Sequence, residues 1–156
     1  MHSAEVTLPG DRQILIKREF DAPRRRVYDA WTTPELLKRW WSARRGEMTV
    51  AEVDLKVGGH WRFAMVTHSG VEVAFHGEYR EIVTAERLVF TDVFEAMPGE
   101  SALSTLTLVE LDGGRTAIEL LVEHATQRAR DLHIASGMED GLQDALELLE
   151  QTAAAG

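Results

Sequence analysis

Two pairs of polar side chains have the spacing that acid–base chemistry would need. His76 and Glu78 lie two residues apart in a segment that alternates like a β-strand, so they share one of its faces. Buried in an apolar site, such a pair could transfer protons, whereas on an outer face it would be solvated. Glu52 and Asp54 share a face in another predicted strand, where burial would raise the pKa of either carboxyl. Their roles depend on which face of each strand is buried.

The sequence lacks the motifs of most other reactive sites. It has no cysteine, which excludes disulfides, thiol nucleophiles and thiolate metal ligands. The histidines show neither His-x-x-x-His nor HExxH spacing, and no Gly-x-Ser-x-Gly nucleophile elbow occurs. The glycine-rich loops that bind nucleotide phosphates are also missing. We therefore expect neither a metal nor a cofactor.

Composition and charge restrict the class of protein. The chain has 156 residues, which suits one domain, and 44% of them are hydrophobic. Its net charge of −9 disfavours a nucleic-acid partner, because phosphate binding needs a positive face. No apolar run approaches the roughly 18 residues of a membrane span, and the N-terminus has no signal-peptide core. We expect a cytoplasmic protein without a membrane span.

The periodicity of the apolar residues predicts an α+β fold. One strand (13–20) precedes two short helices, which begin near Pro23 and at Pro34. Alternation then predicts six more strands joined by short turns, which must form an antiparallel meander. These lie at 48–55, 60–65, 71–80, 88–95, 103–111 and 116–123. A helical pattern over 127–151 follows, with Thr126 as its N-cap and with Ile134 and Met138 on its apolar stripe. We therefore predict a long C-terminal helix across a seven-stranded curved antiparallel sheet.

The domain prediction follows from these elements. Residues 1–12 are an N-terminal extension, 13–152 form the folded domain, and 153–156 form a flexible tail. The predicted helix contains Gly137 and Gly141 on either side of Met138, which suggests either close backbone approach or space for a ligand beneath it. The side chains that would line such a cavity are Trp40, Trp41, Trp61, Phe63, Phe75, Phe90, Met138 and Leu142. Each could equally be plain core. Polar candidates for the same cavity are His76, Glu78 and Glu52.

Several segments, in their order and spacing, resemble a known family. They are 18–23 (REFDAP), 27–32 (VYDAWT), 34–41 (PELLKRWW), 57–63 (VGGHWRF), 76–82 (HGEYREI), 86–91 (ERLVFT) and 136–138 (SGM). The chain resembles proteins similar to the activator of heat-shock protein 90 ATPase over about residues 13–151. These belong to the START-like superfamily, also called SRPBCC or birch-pollen-allergen-like. The resemblance implies a helix-grip fold that holds a hydrophobic small molecule between the sheet and the long helix.

Three functions are consistent with the sequence. The first is a non-catalytic protein that binds an apolar small molecule, with an apolar pocket and few polar groups. The second is a protein-interaction or co-chaperone-like module of the stress response, acting on a chaperone or another protein, with a filled core and an exposed apolar patch. The third is a cavity enzyme of cyclase, dehydratase or hydrolase type, in which titratable groups converge. A homodimer is a further expectation, because sheet edges and faces of opposite charge are available.

Overall fold

The computed structural model describes residues 3–155 of the chain. Its strands are β1 (Glu5–Thr7), β2 (Gln13–Phe20), β3 (Gly46–Val53), β4 (His60–Thr67), β5 (Glu72–Val83), β6 (Arg87–Phe94), β7 (Ser101–Leu111) and β8 (Arg115–His124). Its helices are α1 (Arg24–Thr32), α2 (Pro34–Trp40), α3 (Gln127–Ala135) and α4 (Met138–Ala155).

The strands form a single antiparallel sheet in the order β1-β2-β8-β7-β6-β5-β4-β3. The predicted α+β class and meander are confirmed, but the predicted count of seven strands is wrong. The eighth strand is Glu5–Thr7, which lies in the predicted N-terminal extension and pairs with β2. A three-residue edge strand is too short to show an alternating pattern. Met1 and His2 of that extension lie outside the described residues.

The helices lie on one face of the sheet because of the strand order. Since β2 and β3 are far apart in the sheet, the chain between them must cross a face, and α1 and α2 make that crossing. Both helices contact α4, and α1 also contacts β7 and β8. We call the face beneath these helices the inner face. The alternating residues Ile14, Ile16 and Phe20 of β2 are fully buried on it.

Pro34 shapes the turn between α1 and α2. It begins α2, as predicted, but it has no N–H to donate to the Ala30 carbonyl four residues earlier. The indole Nε1–H of Trp40 donates to that carbonyl instead, at 2.8 Å. Trp40 therefore replaces a helical hydrogen bond that the proline removes, and it ties the end of α2 to α1.

The predicted C-terminal helix is present as α4, but its predicted extent over 127–151 is wrong, because the chain breaks between α3 and α4. Thr126 caps α3 as expected, and its side chain accepts a hydrogen bond from Ala129 N at 3.0 Å. Gly137 then adopts φ +82°, a conformation that ends helices and favours glycine. Ile134, expected on the buried stripe, is 37% exposed at this break. The tail predicted at 153–156 is helical through Ala155, and Gly156 lies outside the described residues.

A β-bulge in β3 reverses the alternation that the sequence suggests. The pairing of β3 with β4 shifts register between Met48 and Val50. Met48 is buried, and beyond the bulge Ala51 and Val53 pack against the core. The extra residue therefore moves Glu52 from the face of Met48 to the opposite face, where it is exposed.

Candidate functional site

A small cavity lies inside the aromatic part of the core. It has a volume of ≈ 20 Å³, about the space that one water molecule needs. We call it the inner cavity; its lining residues are Trp31, Trp61, Phe63, Tyr79, Leu88 and Phe90. Trp61, Phe63 and Phe90 were singled out from the sequence, whereas Trp31, Tyr79 and Leu88 were not. Burial raises the pKa of the Tyr79 phenol, so that side chain is neutral.

The aromatic rings of the lining form one contact network. The Trp61 ring centroid lies 4.7 Å from that of Phe63 and 5.7 Å, edge-on, from that of Phe90. Trp41 extends the network from the end of α2, with centroids 5.7 Å from Phe63 and 5.9 Å from Phe75. These edge-on arrangements are favourable for aromatic pairs. The predicted residues Trp41 and Phe75 thus continue the wall without lining the cavity.

The remaining apolar candidates have different positions. Trp40 is buried against α1, with its ring centroid 5.0 Å from that of Trp31, and its indole N–H is bound to Ala30. Met138 and Leu142, in the first turns of α4, are half-buried and pack against the core. Gly141 beside them does not approach the sheet, because an added Cβ would meet only the Arg45 side chain at 3.8 Å. The two glycines therefore have separate explanations: one breaks the helix and the other is a tolerated helical residue.

Asp92 is a buried carboxylate on the inner face that sequence reasoning missed. In β6 it lies between Phe90, whose ring contacts Trp61, and Phe94, whose ring stacks on Phe75 at 5.0 Å. Alternation therefore points Asp92 to the inner face as well. The residue keeps partial exposure, but its Oδ1 atom is sealed from solvent and has no hydrogen-bond partner among residues 3–155. Burial raises the pKa of Asp92 to about 7, and the charge of His76 opposes this only partly.

Trp61 has a second unpaired polar atom in the same place. Its Nε1 is buried and has no hydrogen-bond partner within the described range 3–155. This atom lies over Gly77, where a Cβ would be 2.7 Å from Nε1 and would overlap the Thr91 carbonyl oxygen. Only glycine fits at position 77, and its missing side chain leaves the indole N–H beside bare backbone. An unpaired donor and an unpaired acceptor thus lie on the same inner face of the sheet.

The three polar candidates from the sequence lie outside. His76 is exposed, and its Nδ1 is 2.9 Å from Glu95 Oε2, which Arg62 also contacts at 2.8 Å. These hydrogen bonds, chiefly the one from Arg62, lower the pKa of Glu95 to about 2. Glu78 pairs with Arg80 at 3.2 Å, and Glu52 is exposed beyond the bulge. His76 and Glu78 therefore form an outer polar surface, and we derive no acid–base pair from them.

Two histidines meet where β8 leads into α3. The ring nitrogens His124 Nε2 and His133 Nδ1 are 3.0 Å apart, so one donates to the other. Burial lowers the pKa of both, that of His133 to about 4, so both are neutral near pH 7. Among residues 3–155 no group of three or more His, Asp or Glu side chains could hold a metal ion.

A larger recess lies on the opposite face of the sheet. It has a volume of ≈ 330 Å³ and is lined by Pro9, Gln13, Leu15, Thr105, Thr107, Glu119 and Leu121. We call it the outer recess. Its lining has no aromatic ring and includes neither unpaired buried atom, so we place the candidate site at the inner cavity. None of the helices described within 3–155 has both the length and the apolar character needed to cross a membrane.

Solved structures share the fold over nearly the whole chain. A protein of Rhodobacter sphaeroides is 27% identical, with a TM-score of 0.90 over 98% of this chain and 99% of the other. CV1439 of Chromobacterium violaceum is 28% identical, with a TM-score of 0.80 over 92% and 98%. NE0264 of Nitrosomonas europaea, 24% identical, has the same fold with a TM-score of 0.82 over 95% and 97%.

A family model agrees with this structural likeness. No protein of curated function matches the chain in sequence. The model for activator of Hsp90 ATPase homolog 1-like proteins matches residues 21–154, which include both unpaired polar groups and all four helices except the last residue of α4. That match covers far more than half of the chain, and it agrees with the fold and with the segments quoted above. The chain therefore belongs to the family of activator of Hsp90 ATPase homolog 1-like proteins, of the START-like type.

Proposed function

We propose that this protein binds an apolar small molecule containing an aromatic ring, in the space between the inner face of the sheet and its helices. One observation carries the proposal: a small cavity lined mostly by aromatic side chains adjoins the buried, unpaired Nε1 of Trp61, and the unpaired Oδ1 of Asp92 lies on the same face of the sheet. Buried polar atoms in a core built only for stability are hydrogen-bonded. The two unpaired atoms depart from that rule, and their position next to the aromatic lining favours a ligand site.

The size of the inner cavity sets a condition on binding. At ≈ 20 Å³ it is far smaller than an organic ring, for which a cavity of about 150 Å³ is known to suffice. Ligand entry must therefore displace part of the wall. The sheet is continuously hydrogen-bonded, so the helices are the side that can move.

The two halves of α4 are held differently. In the second half Leu146, Leu149 and Ala153 are buried, and Glu150 accepts a hydrogen bond from Asp21 N at 2.7 Å. The first half begins at the Gly137 break and contributes only half-buried side chains to the core. It is also held by two hydrogen bonds between the Gln143 side chain and the Ala4 backbone, at 2.8 and 2.9 Å, and by an exposed ion pair between Arg45 and Asp144, at 2.8 Å. These contacts are polar and near the surface, so we infer that the first turns of α4 lift more readily than the second half.

The distribution of aromatic residues favours a small molecule over a protein partner. The exposed large hydrophobic side chains among residues 3–155 include no aromatic ring. Protein interfaces are enriched in aromatic side chains, whereas here the aromatic surface faces inward. Within the lining of the inner cavity Tyr79 is the one titratable side chain, and its phenol stays neutral. Asp92, on the same face of the sheet, is the one carboxyl among residues 3–155 with a raised pKa.

Binding of defined aromatic probes tests the proposal. We expect 2-naphthol and related two-ring compounds to raise the melting temperature in proportion to their concentration, since a ligand of the folded state stabilises it by mass action. Phe63→Ala should change probe affinity, measured by calorimetry, because it alters the wall of the inner cavity. Leu121→Thr, in the outer recess, is the matched control and should leave that affinity unchanged. If no two-ring probe binds, or if only the outer-recess variant alters binding, the proposal is wrong.

A further inference from the structure

We infer that Trp61 and Asp92 form a polar subsite that binds the hydroxyl group of an aromatic ligand. The inference rests on the proposed function and adds the chemical class of the ligand: phenols and aryl alcohols. We call Trp61 Nε1 and Asp92 Oδ1 the polar pair.

The sheet register brings the polar pair together. Trp61 of β4 is paired with Gly77 of β5. On the other side of β5, the pairs His76–Val93 and Tyr79–Phe90 place Gly77 opposite Asp92. Trp61 and Asp92 thus lie in one row across three strands, with Gly77 between them, and the Cβ positions of directly opposite residues such as Gly77 and Asp92 are about 5 Å apart. Trp61 Nε1 lies 2.7 Å from the position that a Cβ of residue 77 would occupy, so it points toward the part of the row where Asp92 follows.

The side chains that flank Asp92 are small. Its register partner in β7 is Ala102, and its neighbour in β5 is Gly77. The Gly77 position itself is occupied, because Trp61 Nε1 and the Thr91 carbonyl oxygen lie where its Cβ would be. Phe90 and Phe94 lie before and after Asp92 on the same face and supply apolar walls. A ligand hydroxyl therefore reaches this row only when part of the wall is displaced, as ligand entry to the inner cavity also requires.

The chemistry of the polar pair selects a hydroxyl group. The indole Nε1–H can only donate, and an ionised carboxylate can only accept. A hydroxyl oxygen accepts from the indole while its hydrogen is donated to the carboxylate. An ammonium group would leave the indole unpaired, and an ether or ketone would leave the ionised carboxylate unpaired. When Asp92 is protonated, a hydroxyl can still accept from both groups, so the match holds on either side of its titration.

A matched pair of probes tests this inference. 2-Naphthol and 2-methylnaphthalene have nearly the same shape, but only the first has a hydroxyl group. We expect the folded protein to bind 2-naphthol about tenfold more tightly, as one or two net hydrogen bonds would give. Asp92→Leu and Trp61→Phe should each reduce that preference to less than about threefold, since a single hydrogen bond then remains at most. Asp92→Asn keeps an acceptor at this position and should retain most of the preference.

A control variant distinguishes the contribution of the apolar wall from that of the polar pair. Phe90→Leu should weaken both probes by a similar factor and leave their ratio near that of the wild type, because it removes apolar contact and no polar group. Equal affinity of the two probes for the wild type would overturn the inference and leave the proposed function standing. An unchanged preference in both Asp92→Leu and Trp61→Phe would overturn it too. If neither probe binds the wild type, the proposed function fails and the inference fails with it.

Discussion

Asp92→Asn should change how the stability of the protein depends on pH. Burial raises the pKa of Asp92 to about 7 in the folded state, against about 3.9 in an unfolded chain. Between these values the folded protein holds the proton and the unfolded chain releases it. The contribution of Asp92 to stability is therefore fully present below about pH 4 and is lost as the pH rises through about 7.

The size of this effect follows from the shift. Each unit of pKa difference corresponds to about 1.4 kcal/mol, so three units give about 4 kcal/mol. That figure is an upper bound, because the residue keeps partial exposure and solvent screens its charge. Asparagine cannot ionise, so relative to the wild type the variant should gain about 1.5–2.5 kcal/mol between pH 5 and pH 8.5, because part of the full effect already occurs below pH 5.

His133 acts in the opposite direction over the same pH range. Burial, with a smaller effect of His124, lowers its pKa to about 4, against about 6.5 unfolded. Its contribution to stability is present above about pH 6.5 and is lost as the pH falls through about 4. The two groups partly cancel in the wild type, whose own profile should be shallow. The difference between variant and wild type removes the histidine contribution and isolates Asp92.

Urea unfolding followed by circular dichroism, at constant ionic strength across this range, measures the difference directly. Glu52→Gln is the control, since this carboxylate is exposed and its replacement should shift stability by no more than about 0.5 kcal/mol at any pH. A difference between Asp92→Asn and wild type that stays constant from pH 5 to pH 8.5 would show that the carboxyl titrates like a solvated one. The conclusion that the Asp92 carboxyl is buried in the proposed site would then be refuted.

Four further substitutions test the helices. Gly137→Ala should destabilise by about 1 kcal/mol, because φ +82° is unfavourable for alanine, whereas Gly141→Ala should stabilise by about 0.5–1 kcal/mol in the same urea experiment. Equal signs for the two would contradict the break between α3 and α4. Trp40→Phe should cost about 1–3 kcal/mol by leaving the Ala30 carbonyl unpaired, and a loss under 0.5 kcal/mol would mean that water replaces the indole. Asp144→Asn removes the ion pair with Arg45 and should speed probe binding in stopped-flow fluorescence with little change in stability; an unchanged rate would argue against lifting of α4.

The architecture could be predicted from sequence because its signals are local. Strand β2 matches its predicted bounds, Pro34 begins α2, and Thr126 caps α3. What failed depended on single residues whose effect is not periodic. Gly137 divides a pattern that is otherwise helical, and the bulge after Met48 reverses which face of β3 is buried. Neither event changes the spacing of apolar residues enough to be recognised in one sequence.

The polar candidates failed for a related reason. His76 and Glu78 were chosen because two polar residues on one strand face suggest a pair, but alternation with the buried Gly77 and Tyr79 puts that face outside. A single polar residue on an apolar strand face was more informative than a pair of polar residues on one face. Asp92 stands between Phe90 and Phe94 at the alternate positions of an apolar strand, where a solvated carboxylate is not expected. A polar residue in register with aromatic ones is therefore the sequence pattern that points to the proposed site.

The polar pair differs from the other buried polar groups of the inner face, which stabilise the fold. Elsewhere, buried polar side chains of the inner face have partners: Arg18 reaches Glu150 at 3.5 Å, and Thr116 Oγ1 donates to the Ala22 carbonyl at 2.7 Å. Those groups fix α4 and the start of α1 to the sheet. A carboxylate buried without a partner lowers stability, so Asp92 opposes folding at neutral pH where Arg18 and Thr116 support it. A residue that weakens the fold between two aromatic side chains of the inner face is better explained by a ligand than by packing.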